Sequence, residues 1–447
     1  MPIYVQRIGG LSVSKKKTTK SNAQTKKRKF RYRKPVNWFF LLLLITVFQV
    51  FCAAQILLNS AKEIVPATIF IVFGSYILAE WVYFLVFAGF LRRKSFEVEL
   101  IAFFLTGIGL ALTTSVYPDR AYTQLIAVFL GIGVFIVLLW ILGDIDRVIK
   151  LRIPVAVLSI GALIFTLIFA KEINGARNWI IIGNNLMSIQ TSEIIKIAFV
   201  FVGAATLENL QTTKILTKYI IFSVAVIGFL FIMKDFGTAL IFFFTFVIIA
   251  FLRSGDIKTI FLILAGALMG GIGVLTFKPY VANRFATYRH IWEYADDKGY
   301  QQVRLLIYSV SGGLFGLGLG NGKLRYIYAA TEDLAFGMVC EEFGMIIAFT
   351  VLLTFVALVV YSIRYSVAAR SSFYSIAACA ASSLLLFQTA LHVFGVTDLL
   401  PWTGVTLPFI SRGGSSMMCC WGLVALIKAV DVKTYKRYDK MVRSDKE

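Results

Sequence analysis

Apolar runs long enough to cross a bilayer follow one another along almost the whole chain, and nothing restricts its fold more. They fall at about 37–58, 65–90, 99–116, 122–142, 153–170, 192–207, 218–232, 237–252, 259–277, 338–362, 373–396 and 414–431. A helical span needs roughly 20 mostly apolar residues, because it must bridge about 30 Å of hydrocarbon with its backbone hydrogen bonds made internally. The expected fold is therefore an all-α polytopic membrane protein of about 12 transmembrane helices, the sixth, seventh and eighth being the shortest. A hydrophobic content of 58% and a mean hydropathy of +0.79 exclude a soluble domain.

Charge orients the bundle. Residues 1–36 carry twelve Lys and Arg and no acid, and six more basic residues follow Asp431. An even number of spans puts residues 1–36 and 432–447 on one side, as basic tails at the anionic lipids of the cytoplasmic leaflet. Nucleic acid is the rival partner for such charge, but tails flanking membrane spans rarely need it. The short loops agree. Twelve basic residues lie in the five loops assigned to the cytoplasm, from Arg92 to Arg370, against six in the five short outer loops. No small-residue cleavage site follows a short apolar core, so the first span is expected to stay as an anchor.

The membrane domain, 37–431, is then interrupted by a large outer loop at 278–332, before the tenth span. That loop holds the acids Glu293, Asp296 and Asp297 and a glycine run from Gly312 to Gly320. Four further polar segments lie on the same side: Asn174 to Lys196, Lys234 to Thr238, Thr331 to Glu342, and Leu400 to Ser416. Glu193 and Lys196 share a helix face and suit an ion pair. Asp235 suits a helix cap. Glu341 and Glu342 are costly in hydrocarbon and should face the bundle interior or water. The Pro- and Gly-rich stretch before Ser411 and Arg412 is tolerable at membrane depth only where protein or a cavity surrounds it. Arg412, flanked by glycines and serines, has the chemistry to hold a phosphate. Cys52, Cys340, Cys379, Cys419 and Cys420 show no metal-ligand spacing, and His290 and His392 cannot build a metal site unaided.

Taken together, these segments resemble the shape, elongation, division and sporulation family (FtsW, RodA and SpoVE). The pattern of that family is matched by Gly175-Ala176-Arg177-Asn178-Trp179, by Gln190-Thr191-Ser192-Glu193 with Lys196, and by Asp235-Phe236-Gly237-Thr238-Ala239-Leu240. Further on it is matched by Gly299-Tyr300-Gln301, Ser311 to Gly316, Gly318 to Asn321, Glu341-Glu342-Phe343-Gly344 and Leu407 to Ser416. Several positions depart from it: Asn178 stands for the second of two arginines, and Thr191 and Lys234 stand for prolines. Thr331-Glu332-Asp333-Leu334 stands where the family has His-Thr-Asp-Phe, and Arg412 replaces a tyrosine.

The resemblance implies a ten-span core, so that twelve spans include an extra pair, the first two. It also implies a multi-pass glycosyltransferase of the bacterial plasma membrane that polymerises lipid II beside a class B penicillin-binding protein, the transpeptidase. The matched motifs mark Arg177, Trp179, Glu193, Lys196, Asp235, Gln301, Asp333, Glu342, Ser411, Arg412 and Ser415 as substrate-binding positions. Joining an α-linked diphosphosugar into a β-linked glycan inverts the anomeric centre. The reaction needs a base for the acceptor hydroxyl and positive charge for the departing diphosphate, and a divalent cation would also suit that diphosphate, although no ligand set is legible. The family's catalytic aspartate opens an Asp-Pro element that this chain lacks. The ungapped position is Tyr294, and a small gap brings Asp296 or Asp297 into register as the catalytic acid. Two other classes of function stay open. One is a lipid II flippase drawing on Glu80, His392 and the paired glutamates; the other is a non-catalytic scaffold for the transpeptidase.

Overall fold

The computed structural model describes residues 36–59, 66–90, 92–93, 95–173, 176–182, 187–208, 213–255, 257, 261, 265 and 288–431. Both basic tails, nearly all of the ninth apolar run and the first ten residues of the long polar stretch lie outside them. Eleven of the twelve expected runs coincide with helices. They are α1 (Trp38–Asn59), α2 (Pro66–Leu85), α3 (Glu97–Val116), α4 (Pro118–Ile141), α5 (Ile145–Phe169), α6 (Thr191–Glu208), α7 (Thr213–Ile232) and α8 (Phe236–Ser254). Two short helices follow, α9 (Tyr300–Ser311) and α10 (Ala335–Met338), and then α11 (Met345–Ser366), α12 (Ser372–Val396) and α13 (Gly414–Lys428). Eight of these, with the π-turn Val86–Phe90 extending α2, are long and apolar enough to cross a membrane. Helix α6 carries Glu193, Lys196 and Glu208 and is largely buried among its neighbours.

Local chemistry sets several helix boundaries. Pro118 opens α4, where its missing N–H costs nothing. The Asp144 side chain accepts from the Asp146 N–H at 3.0 Å and caps α5. Gly255, at φ 63°, ends α8.

Two regions are more ordered than periodicity predicts. Between α5 and α6 the chain forms a three-stranded antiparallel sheet, β1 (Lys171–Ile173), β2 (Ala176–Ile182) and β3 (Met187–Gln190), in that order. Trp179 lies opposite Gln190, so the isoleucines of β2 meet β3 in register. The long polar stretch is likewise not a plain loop. It contains α9 (Tyr300–Ser311) and a 3-10 turn at Leu324–Tyr326, and it leads into α10 (Ala335–Met338) and the π-turn Val339–Phe343.

Helices α3, α6, α12 and α13 form the interior, and α13 packs chiefly on α4, α12 and α6. Trp421, fully buried on α13, sits against Phe103, Phe135 and Gly131. Helix α5 is peripheral, with Ile153, Val157, Leu158, Phe165, Ile168 and Phe169 exposed. Such a stripe suits lipid rather than water.

Contacts sort the helix ends into two groups. At one end, Lys428 meets Glu99 at 3.2 Å and donates to the Ser95 carbonyl at 2.6 Å. Arg370 donates to the carbonyls of Leu142 and Gly143 there, and Glu208 accepts from the Phe373 N–H. At the other end lie the sheet, the turn before α8, the polar stretch and the irregular segment before α13. That second end holds the site.

Candidate functional site

The N-terminal segment of α13 is the hub. Ser411 accepts from the Leu407 N–H at 2.8 Å and donates to the Glu332 carbonyl at 2.6 Å, while the Arg412 N–H donates to the Thr331 carbonyl at 2.8 Å. The Arg412 guanidinium forms an ion pair with Glu332 and lies 4.7 Å from the centre of the Tyr117 ring. Next along, the Gly413 N–H donates to Gln124 at 3.2 Å, and Ser415 accepts from the Gln190 N–H at 3.3 Å. Two buried networks branch from there.

The first surrounds Asp235. One carboxylate oxygen accepts from Asn178 at 2.8 Å, Gln190 at 3.3 Å and Ser192 at 3.4 Å. The other accepts from the Thr238 N–H at 3.2 Å and caps α8. Alternation along β2 turns Asn178 towards Asp235 and puts Arg177 and Trp179 on the other face, the arginine exposed and the tryptophan half-buried.

The second surrounds Lys196. Its ammonium donates to Glu193 at 2.7 Å and to Gln388 at 2.9 Å, with both charged side chains buried. Gln388 passes the chain to the carbonyl and hydroxyl of Thr406, and Thr406 shares a hydroxyl bond with Ser416 at 3.1 Å. A buried lysine is acceptable only when its charge is matched and its donors used, as here.

Beside this hub the glycine run folds against the paired glutamates. Glu341 accepts from the Lys323 and Leu324 N–H groups at 2.7 and 3.0 Å. Glu342 accepts from Ser115 at 3.3 Å and is buried. Gly316, at φ 81°, lies so close to the Glu342 carbonyl that any Cβ would strike it. Burial and the nearby Glu332 raise the Tyr117 hydroxyl above its ordinary value.

The sequence model of the FtsW, RodA and SpoVE family, described as cell cycle proteins, matches residues 110–436. The chain belongs to this family. It is 34% identical over 279 residues to the stage V sporulation protein E of Bacillus subtilis, covering 59% of this chain and 73% of that protein. It is 29% identical over 349 residues to the probable peptidoglycan glycosyltransferase FtsW of Pseudoalteromonas translucida, covering 74% and 87%. Among solved structures, the crystal structure of Thermus thermophilus RodA superposes with a TM-score of 0.56 at 22% identity, over 75% of this chain and 96% of that one. A chain of a peptidoglycan synthase complex, described as coordinating polymerization and crosslinking, gives 0.60 at 23% identity over 76% and 98%. This family member is thus a polytopic, all-α membrane protein and a glycosyltransferase.

Against that background, Glu193, Lys196, Asp235, Ser411, Arg412 and Ser415 fall into one connected region of the family fold. Glu342 stands beside it, and Asp333 is half-buried next to Glu332. Gln301 is half-buried and donates to the Tyr328 carbonyl at 3.3 Å. Asp296 and Asp297 are exposed on the turn before α9, and neither carboxylate has a hydrogen-bond or ion-pair partner among the described residues. Their loop is docked by Tyr288 to the Leu399 carbonyl at 2.9 Å and by Gln302 to the Gly395 carbonyl at 2.9 Å. Glu80 accepts from Gln49 at 2.7 Å, and His392 bonds the Val405 carbonyl and the Phe336 N–H. Both ring nitrogens of His392 are thus used, while the second Glu80 carboxylate oxygen is buried without a hydrogen-bond partner among the described residues.

Sequence reasoning missed Gln124, Asn178, Gln388 and Tyr117. Two of them carried a signal. Gln124 and Gln388 are amides inside apolar spans, where a polar side chain needs a partner.

Proposed function

We propose that this protein is an inverting glycosyltransferase that polymerises lipid II into glycan strands at the outer face of the bacterial plasma membrane. It would work in division, elongation or sporulation, beside a class B penicillin-binding protein. The observation that carries this reading is the connected polar region at one end of the bundle, assembled from the motifs that tie the chain to its family. The acceptor hydroxyl attacks the anomeric carbon of the donor, the bond to the diphosphate breaks, and a base takes the hydroxyl proton. Asp296 is the first choice for that base and Asp297 the second, because both carboxylates are exposed and uncommitted on the docked loop.

Arg177 and Arg412 are the residues to meet the diphosphate, with Lys298 and Arg304 as outer contacts. Lys196 has a different part. Buried and bonded to Glu193 and Gln388, it positions α6 against α12 and thereby supports the α13 segment. Among the described residues no group of three or more His, Cys, Asp or Glu side chains is placed to hold a metal ion. Both termini lie in the cytoplasm in this reading, which puts the polar end outside.

The test is polymer formation from lipid II by purified protein with its transpeptidase partner, for the wild type and for Asp296→Ala, Asp297→Ala and Glu293→Ala. Loss confined to Asp296→Ala or Asp297→Ala is expected. Full activity in all three variants would remove the loop acids from the mechanism, and no polymer from the wild type would remove the polymerase reading itself.

A further inference from the structure

Glu332 and Arg412, on the two segments that meet at the hub, form an ion pair. Neither backbone needs the pair for its place. The Thr331 carbonyl already holds the Arg412 N–H, and the Glu332 carbonyl already holds the Ser411 hydroxyl. The charges are therefore an addition to a junction that is closed without them.

Their surroundings say what the addition does. Both side chains are about a quarter exposed, at 27% and 26%, so the end of the guanidinium is partly open to solvent. It lies 4.7 Å from the centre of the Tyr117 ring, and its Nε is buried with no hydrogen-bond partner among the described residues. Glu332 occupies one edge of a fork whose geometry suits phosphate as well as carboxylate. Thr331 donates to the second carboxylate oxygen at 3.1 Å and holds the glutamate in that position.

We infer that Glu332 is a built-in counter-anion for Arg412, which the diphosphate of the lipid-linked substrate must displace, so that this residue pair sets the affinity of the site for diphosphate. The inference rests on the proposed function for the identity of the substrate, and its test does not need turnover. Inorganic pyrophosphate is titrated against purified full-length protein in detergent, with binding read from the shift in melting temperature.

Glu332→Gln should tighten pyrophosphate binding by roughly fivefold, the equivalent of one partly exposed ion pair. Arg412→Gln should weaken it by at least as much, and the double variant should behave as Arg412→Gln alone. Glu332→Thr provides a second variant should glutamine destabilise the fold, and it should shift binding in the same direction as glutamine. In the polymer assay the same glutamate variants should lower KM for the lipid substrate and leave kcat within about twofold. A merely structural ion pair would weaken binding from either side. Parallel losses in the glutamate and arginine variants, or no change in either, would overturn the inference. Failure of wild-type polymer formation alongside opposed pyrophosphate shifts would instead remove the substrate assignment and leave the counter-anion standing.

Discussion

At the scale of single residues, the site is governed by charges that had to be matched before they could be buried. Lys196 is 1% exposed and Glu193 is 4% exposed, and among the described residues Glu193 and Gln388 are the hydrogen-bond partners of the ammonium. Removing one partner leaves an uncompensated charge, which costs about 3–5 kcal/mol. Lys196→Met should therefore lower unfolding stability by that order, measured by denaturant titration in detergent micelles. Adding Glu193→Gln to it should restore more than half of the loss. A double variant no more stable than Lys196→Met would mean that the pair is not the source of the cost.

Among elements, the turn before α8 shows how one carboxylate joins several pieces. Asp235 caps α8 and also collects Asn178 from β2, Gln190 from β3 and Ser192 from α6. Asp235→Ala removes a cap, typically worth about 1 kcal/mol, and orphans three side-chain donors. A total loss above ~2 kcal/mol is expected, with Asp235→Asn losing less. Hydrogen exchange that speeds up in both the first turn of α8 and the sheet would show the coupling, and faster exchange in α8 alone would reduce Asp235 to a cap.

Helices of this kind were legible in the sequence because twenty apolar residues leave the backbone no alternative in lipid. The cap at Asp235 and the Glu193–Lys196 pair were legible too, since both are local. The sheet at 171–190 and helix α9 were not, because short polar segments take their structure from what they dock against. Gln388 to Thr406 and Gln124 to Gly413 are bonds between distant segments, and periodicity carries no information about such partners. The pairing of Glu332 with Arg412 was visible only as two separate departures from a pattern.

For the whole molecule, topology is the strongest organising fact. Contacts divide the helix ends into two sets, and every candidate site residue belongs to one of them. A cysteine placed at Asp296 should react with a membrane-impermeant maleimide in intact cells, whereas one at Asp146, in the opposite set, should react only after permeabilisation. The five native cysteines are buried and give a low background. The reverse pattern would invert the bundle and remove the site from the outer face.

One contact bears on how the protein can be cut. The glycine run beside the site is held at Leu319, whose carbonyl accepts from Asn59 at 2.8 Å and whose N–H reaches Gln55 at 3.5 Å. Both partners lie on α1, well before residue 110, where the family match begins. A shortened protein trimmed to the matched region would keep every residue proposed for chemistry and still lose the grip on the backbone next to them. Expression designs, and any graft of this core onto another member's leader, should therefore carry α1 along as part of the working unit.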